Sequence, residues 1–330
     1  MKGIYFWTLA VIITLAAVFL QRNTGPSHPG KEVMEVNGSF FKASFPRSLI
    51  RPRDNASNTK LTIELSSTDN AQDRIFGAIL YYRQYPGSGN YSAIVPVFAT
   101  AKDKLLVNCM IPVQPTAGKI SYYLQLLGKD GTTVNSQETI MRFRDYVPTP
   151  VLMLHILLIF FAFLFSNFTG IYSFADHSRI NRFALVTILI LFAGGFILGP
   201  MVQKYAFGVW WSGWPLGGDI TDNKTLIAFL AWVIAYILNK IPFSSPRFCR
   251  WRRYFYLAAA LITIVAYSIP HSTGGSEYDY QTGTIVTDQV IPREPSNTNQ
   301  WIQDIITICL LSSCCNSSEL HQIPALRKKK

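Results

Sequence analysis

Five long apolar blocks constrain the fold of this chain more than any other feature of its sequence. They cover residues 4–20, 151–172, 183–201, 225–238 and 254–269. Each approaches the roughly 20 residues that a helix needs to cross about 30 Å of hydrocarbon, although the last two are short. The blocks carry almost no charge on any face, whereas a soluble amphipathic helix keeps a polar stripe. The sequence therefore predicts an α-helical membrane protein with five spans.

The first apolar block has two interpretations. A cleaved signal peptide has an apolar region of about 7–15 residues, followed by a cleavage site with small residues. The run from Ile4 to Leu20 is longer, and no such site follows it. We therefore favour an uncleaved signal anchor over residues 1–21, followed by a polar linker over residues 22–34. The later spans are predicted at residues 150–172, 183–201, 225–239 and 254–270.

Residues 35–147 change to the period-2 alternation that is typical of strands. Short β-rich runs are separated by Gly, Pro, Asn and Asp, with turn signals at residues 86–90 and 129–131. About seven strands in about 110 residues predict an all-β sandwich domain. Because the region has a single cysteine, Cys109, no disulfide within it is expected.

Several runs in this region carry a family resemblance. They are residues 78–83 (AILYYR), Ile111-Pro112, residues 121–124 (SYYL) and Asp130-Gly131. The pattern resembles the immunoglobulin-like or fibronectin-type sandwiches that are appended to secreted and surface proteins, and it covers roughly a third of the chain. The resemblance implies a fold and a binding or scaffolding role, not a chemistry. The paired cysteines of antibody domains are missing, which excludes that subclass.

Basic residues set the expected orientation in the membrane. The loops at residues 173–182 and 239–253 are rich in arginine, whereas the loop at residues 202–224 balances two lysines with two aspartates. Arginine-rich loops stay in the cytoplasm. We therefore expect a bacterial inner-membrane protein with a cytoplasmic amino terminus and an extracytoplasmic sandwich. This topology also explains the net charge of +11, so no nucleic-acid partner is expected.

The predicted outer loop at residues 202–224 is the most unusual segment. It carries Trp210, Trp211 and Trp214 among clustered glycines, with Asp219 and Asp222 near its end. One interpretation is an interfacial loop whose tryptophans contact membrane lipid at headgroup depth. The other is a lid that closes over the outer ends of the helices, since glycines permit close backbone approach. Asp222 would also suit the amino-terminal cap of the fourth span.

Two histidines are expected near the same outer face. His155 lies inside the second span, where an imidazole is costly without a partner or a task, and His271 follows the fifth span. The pair is either structural, bonded to backbone or to aspartate, or it ligates a b-type haem or a transition metal. We predict that both histidines converge with at least one of Asp219, Asp222 and Glu277 in one outer pocket beneath the tryptophan loop.

Function is the least constrained property of the sequence. Residues 271–330 are expected to form an outer, largely disordered tail, and no phosphate loop, GxSxG, HExxH or kinase signature occurs. The leading hypothesis is a non-enzymatic accessory subunit or assembly factor of a membrane complex, with a protein partner outside and no cofactor. The alternatives are a haem- or metal-binding redox component that uses His155 and His271, and a transport or permease subunit.

Overall fold

The computed structural model describes residues 2–24, 28–54, 56–67, 71–87, 89–101, 104–175, 179–241, 246–269 and 275–287. These residues contain six α-helices and thirteen strands. All of them belong to one compact unit, Met1–Gln289. The helices are α1 (Lys2–Thr24), α2 (Thr149–Tyr172), α3 (Ile180–Phe192), α4 (Gly199–Phe207), α5 (Ile220–Lys240) and α6 (Pro246–Ser268). The strands are β1 (Gly30–Val36), β2 (Ser39–Phe45), β3 (Ser48–Ile50), β4 (Asn58–Ser67), β5 (Ile75–Tyr85), β6 (Ser92–Ile94), β7 (Val97–Ala101), β8 (Lys104–Pro112), β9 (Lys119–Gly128), β10 (Thr133–Asn135), β11 (Thr139–Arg144), β12 (Glu277–Asp279) and β13 (Thr284–Val286).

Strands β1–β11 form two sheets around one core, and this domain is called the sandwich below. The first sheet has the order β1-β2-β4-β8-β7, and the second has the order β3-β11-β9-β5-β6 with β10 beside β9. Alternate residues point inward, so that Leu61 and Ile63 of β4 share a core with Tyr122 and Leu124 of β9. The predicted β-rich domain is therefore present. It has more strands than the seven predicted, because β3, β6 and β10 are only three residues long and leave no periodic signal.

Four helical stretches are long and apolar enough to cross a membrane: Ile4–Arg22, Thr149–Tyr172, Ile180–Phe207 and Ile220–Lys240. They support an integral membrane protein. The predicted fifth span lies within α6, which packs against α2 and α5. Among the residues that the structure describes, α6 is not one of the four, and its first two turns contain four arginines. A fifth membrane crossing therefore stays a prediction.

The third helical stretch is longer than predicted. A π-helical segment, Ala193–Leu198, joins α3 to α4, so the helix continues to Phe207 rather than ending at residue 201. Pro200 has no N–H to donate, and its ring crowds the preceding turn. The wider turn accommodates it, and the N–H of Gly199 reaches back to the carbonyl of Gly194. The loop that follows is consequently shortened to residues 208–219.

The segment after α6 also differs from its prediction. Residues 275–287, which the sequence places in a disordered tail, form a hairpin of β12 and β13. The turn closes through the N–H of Gly283, which donates to Asp279 O at 2.9 Å, and Gly283 adopts φ 70°. The hairpin lies against the sandwich, since the N–H of Tyr278 donates to Ala117 O at 3.3 Å. The remainder of the predicted tail lies outside the described residues.

Small and polar residues pack the helices together. Helix α2 contacts α1, α3 and α6. A Cβ added to Gly170 of α2 would overlap the Cβ of Ala260 of α6, so the two helices cross at close range. The fully buried indole N–H of Trp232 lies 3.2 Å from Ser166 Oγ and 3.0 Å from Thr263 Oγ1, which ties α5 to both neighbours.

Candidate functional site

The sandwich meets the ends of the helices at a buried polar region, called the junction cluster below. Three parts of the chain contribute to it: the sandwich, the loop with the start of α5, and the segment that leads into β12. Its members are Lys119, Arg142, Ser212, Asp219, Asp222, Lys224, Ser276 and Glu277. Such a concentration of buried polar groups is costly, so its arrangement requires an explanation.

Asp219 and Asp222 hold the loop onto the first turn of α5. Asp219 is the N-cap of the helix, because its Oδ1 accepts from the N–H of Thr221 at 2.7 Å. The capping residue is thus Asp219 and not Asp222. Asp222 Oδ2 accepts from the N–H of Ser212 at 2.7 Å, and Ser212 Oγ lies 3.0 Å from Asp219 Oδ2. Both carboxylates therefore bind the same serine.

The tryptophans of the loop divide into two groups. Trp211 stacks on Phe196 with ring centroids 5.5 Å apart, and its indole N–H donates to Trp214 O at 3.2 Å. Trp210 and Trp214 instead project outward, with 57% and 68% of their surface exposed. Asn223 fixes the backbone by accepting from the N–H of Trp214 at 2.6 Å. Contact of this outward pair with lipid headgroups stays a prediction.

Lys224 joins α5 to the end of α6. Its Nζ donates to the carbonyl of Ile269 at 2.5 Å, one residue past the last turn of α6. A cation at this position complements the negative end of the helix dipole. The residue is almost fully buried, so its charge serves this contact and does not face bulk solvent. The amino-terminal end of α5 and the carboxyl-terminal end of α6 are consequently held together.

Arg142 carries the positive charge of the sandwich into the cluster. Its guanidinium lies 3.8 Å from the ring centroid of Phe207, and its Nη2 donates to the carbonyl of Ser276. Burial lowers the pKa of Arg142 to about 10, and the nearby carboxylates of Asp219 and Glu277 oppose that shift. The side chain therefore remains cationic at neutral pH and connects β11, α4 and the segment that leads into β12.

Lys119 and Glu277 form the second link between the sandwich and the hairpin. Their Nζ and Oε1 atoms lie 3.0 Å apart, and the exposed fraction is 21% for the lysine side chain but only 7% for the glutamate side chain. The hydroxyl of Tyr280 lies 3.0 Å from both Gln114 Oε1 and the carbonyl of Lys119. Burial raises the pKa of Tyr280 to about 12, so it acts as a hydrogen-bond donor at neutral pH.

Of the two histidines, only His155 lies within the described residues. His155 Nδ1 lies 2.9 Å from the carbonyl of Gly194 in the π-helical segment. No described hydrogen bond joins it to Asp219, Asp222 or Glu277. His271 lies outside the described residues, so the meeting of the two histidines stays a prediction.

Metal or haem binding also stays a prediction. Across the described part of the chain, no three His, Cys, Asp or Glu residues form a group that could hold a metal ion. The residue that would complete the expected pair, His271, lies outside that part. An optical spectrum and a metal analysis of the purified protein would test this alternative.

Sequence reasoning missed the two basic residues that the sandwich contributes to the junction cluster. Arg142 and Lys119 occupy outward positions of their strands, where the period-2 pattern predicts ordinary solvent-exposed residues. Each lies near the end of its strand that faces the helices. The position of Arg142, a few residues before the start of α2, is the one signal that could have identified it. Nothing local indicates its pairing with Ser276, which is 134 residues away in sequence.

No known family is identified for this chain. No family model and no curated protein match it. Among solved structures, a similar chain is that of astrotactin-2, described as "a conserved vertebrate-specific and perforin-like membrane protein involved in neuronal development". The identity is 11%, the TM-score is 0.21, and the match covers 65% of this chain and 38% of that one. A likeness at that score carries no argument about fold or function.

Proposed function

We propose that this chain is a non-enzymatic membrane protein, an accessory subunit or assembly factor that holds its sandwich outside the cytoplasm to bind a neighbouring protein. The junction cluster is the observation that carries the proposal. A domain that is merely tethered to a membrane needs no buried charges at its base. Burying Asp219, Lys224 and Glu277 costs free energy that a flexible linker would avoid. What the arrangement provides is a fixed position of the sandwich above the helices.

Helix α1 supports a permanent helical bundle rather than a removable leader. Its Ala10 and Thr14 are completely buried, and Asn167 Nδ2 of α2 donates to Thr14 Oγ1 at 2.9 Å. A buried amide in an apolar setting needs such a partner. Removal of α1 would leave the Asn167 amide N–H without its acceptor, which favours retention of the first helix as an anchor.

The orientation follows from the basic residues at the end of the bundle away from the sandwich. Arg179 directly precedes α3 at its N-cap position, and Arg252 and Arg253 lie in the first turns of α6. Cytoplasmic placement of these residues puts the sandwich outside. We expect a reporter fused after residue 145 to be active only outside the cytoplasm, and one fused near residue 248 only inside. The reverse result at either position would contradict this topology.

Native electrophoresis of membranes solubilised in a mild detergent tests the accessory role. The full chain should migrate in a complex well above its own 37.2 kDa, and the same sample in a harsh detergent should release the monomer. The harsh detergent serves as the control for lipid and detergent mass. Migration as a monomer in every mild detergent would contradict the proposal.

A further inference from the structure

A line of tyrosines runs along the outer face of the second sheet. Tyr81 and Tyr123 are partners on β5 and β9, and their rings stack with centroids 4.9 Å apart. The ring of Tyr91 meets that of Tyr123 edge-on at 5.1 Å. Further along the same two strands, Tyr85 pairs with Lys119, and the hairpin tyrosines follow beside it. This surface, called the tyrosine face below, consists of Tyr81, Tyr85, Tyr91, Tyr123, Tyr278 and Tyr280.

Two ion pairs lie on the tyrosine face. Arg83 Nη2 lies 3.0 Å from Glu138 Oε1, which also accepts from the hydroxyl of Tyr91 at 2.5 Å. Lys119 is paired with Glu277 at 3.0 Å. Around Tyr81 and Tyr123 the surface is thus polar and its described charges are paired, although the whole chain has a net charge of +11. An uncharged polar partner surface could cover it without leaving a charge unpaired, whereas a charged one would lose its hydration without gaining a counter-ion.

The ring geometry favours a protein partner over a glycan. Tyr81 and Tyr123 stack on each other's faces, and their planes differ by only 13°. What projects from the sheet is therefore ring edges and hydroxyls, whereas a sugar-stacking platform needs open ring faces. Within the described residues, neither hydroxyl makes a hydrogen bond. Tyrosines with an apolar ring and a polar tip are enriched in protein–protein interfaces.

The direction of the strands places this surface sideways above the membrane. Strands β5 and β9 run from a distal end at Ile75 and Gly128 to the junction cluster at Tyr85 and Lys119. The tyrosine face is therefore continuous with the contact between sandwich and helices. A protein that stands beside this chain in the same membrane can therefore cover it.

We infer that the tyrosine face is the surface by which this chain binds an uncharged polar region of a neighbouring membrane protein. This inference rests on the proposed function and names the binding surface for it. The hydroxyls of Tyr81 and Tyr123 make hydrogen bonds to the partner, and the paired charges around them exclude water without entering the contact. A second copy of this chain is the competing occupant, which the experiment below separates by mass.

Native electrophoresis of the full chain in mild detergent tests the surface with matched variants. The double variant Tyr81→Ser with Tyr123→Ser should reduce the complex on the order of tenfold or more, as expected for central interface residues. The control is Phe40→Ser with Met110→Ser, which removes two exposed apolar side chains from the outer face of the first sheet. The control should leave the complex at its wild-type level. Circular dichroism and protease resistance establish that each variant is folded.

If the serine variant fails to fold, the pair Tyr81→Phe with Tyr123→Phe replaces it. It keeps the ring stack and removes only the hydroxyls, so the complex should still weaken. An unchanged complex in a folded serine variant, or in the phenylalanine variant, overturns the inference but leaves the proposed function standing. The inference is also overturned if the complex is lost in the control variant, if the complex has twice the mass of this chain, or if glycosidase treatment releases the complex. Absence of any complex in the wild type is the separate failure of the proposed function.

Discussion

The pair of Lys119 and Glu277 gives an asymmetric prediction, because its two charges are buried to different degrees. Lys119→Met leaves a carboxylate that is only 7% exposed without its ion-pair partner, with the more distant Arg142 as its remaining cation, whereas Glu277→Gln leaves an ammonium that is 21% exposed. The lysine also keeps a second favourable contact, since its Nζ lies 5.9 Å from the ring centroid of Tyr85. The lysine substitution should therefore be the more damaging of the two.

The expected costs differ by about 2 kcal/mol. Removing one member of a buried pair costs about 3 kcal/mol or more when the remaining charge stays buried. Replacing Glu277 removes the ion pair but leaves the lysine able to reach water, which costs about 1 kcal/mol. Both substitutions destabilise the contact between the hairpin and the sandwich by these amounts. The opening equilibrium should rise about 150-fold for Lys119→Met and about 5-fold for Glu277→Gln, at 1.36 kcal/mol per tenfold change.

Hydrogen exchange of the full chain in detergent, followed by mass spectrometry of peptides covering residues 275–287, measures this opening directly. The control is Lys104→Met, which breaks an exposed pair with Glu64 on the other sheet, at 2.7 Å, and should leave exchange in the hairpin unchanged. Equal exchange in the two test variants, or faster exchange in Glu277→Gln, would refute the argument from burial.

Three further predictions concern the cores of the two parts. Cys109 is 1% exposed and burial raises its pKa to about 12, so peptide mapping should show iodoacetamide labelling at pH 8 only after unfolding. Gly170→Val should lower the thermal midpoint in detergent by forcing α2 away from Ala260, at a cost of about 1–3 kcal/mol, and a wild-type midpoint would contradict the close crossing. Asn167→Leu should cost about 0.6–2 kcal/mol by the same measurement, because it removes the contact with Thr14, and no loss would mean that α1 is not held there.

The broad architecture could be predicted because its signals are local. An apolar run of suitable length is visible without knowing its neighbours, and so is the alternation that buries Leu61 and Ile63. Helix ends were less predictable. Gly199-Pro200 resembles a terminator, yet the preceding π turn lets the helix continue to Phe207. Whether a proline stops a helix depends on packing that local sequence does not show.

The junction cluster could be predicted only on its acidic side. Asp219 and Asp222 belong to a loop with an unusual composition, so they attract attention in the sequence. Arg142 and Lys119 lie on strands where a charged outward residue is normal. Their burial depends on a hairpin that begins more than a hundred residues later, at Glu277. When a segment that is distant in sequence covers the end of a strand, the sequence of the strand itself does not indicate it.

The bounds of the sandwich lead to a last prediction, because β1 makes two stabilising contacts before residue 35. A fragment of residues 35–147, the bounds that the sequence indicates, would lack Met34, whose side chain is buried in the core. It would also lose the bond from the N–H of Gln137 to Glu32 Oε2 at 2.9 Å. Together these contacts are worth at least about 3 kcal/mol.

A fragment of residues 28–147 should therefore unfold at a higher urea concentration than residues 35–147, by about 1–3 M for slopes of about 1–3 kcal/mol per M. Arg142 becomes solvent-exposed in both fragments, and because a hydrated guanidinium carries no burial cost, it does not affect the comparison. Circular dichroism at increasing urea concentration measures both midpoints. Equal midpoints would show that β1 contributes nothing before residue 35, and a helical or unfolded spectrum of the longer fragment would show that the sandwich needs the helices in order to fold.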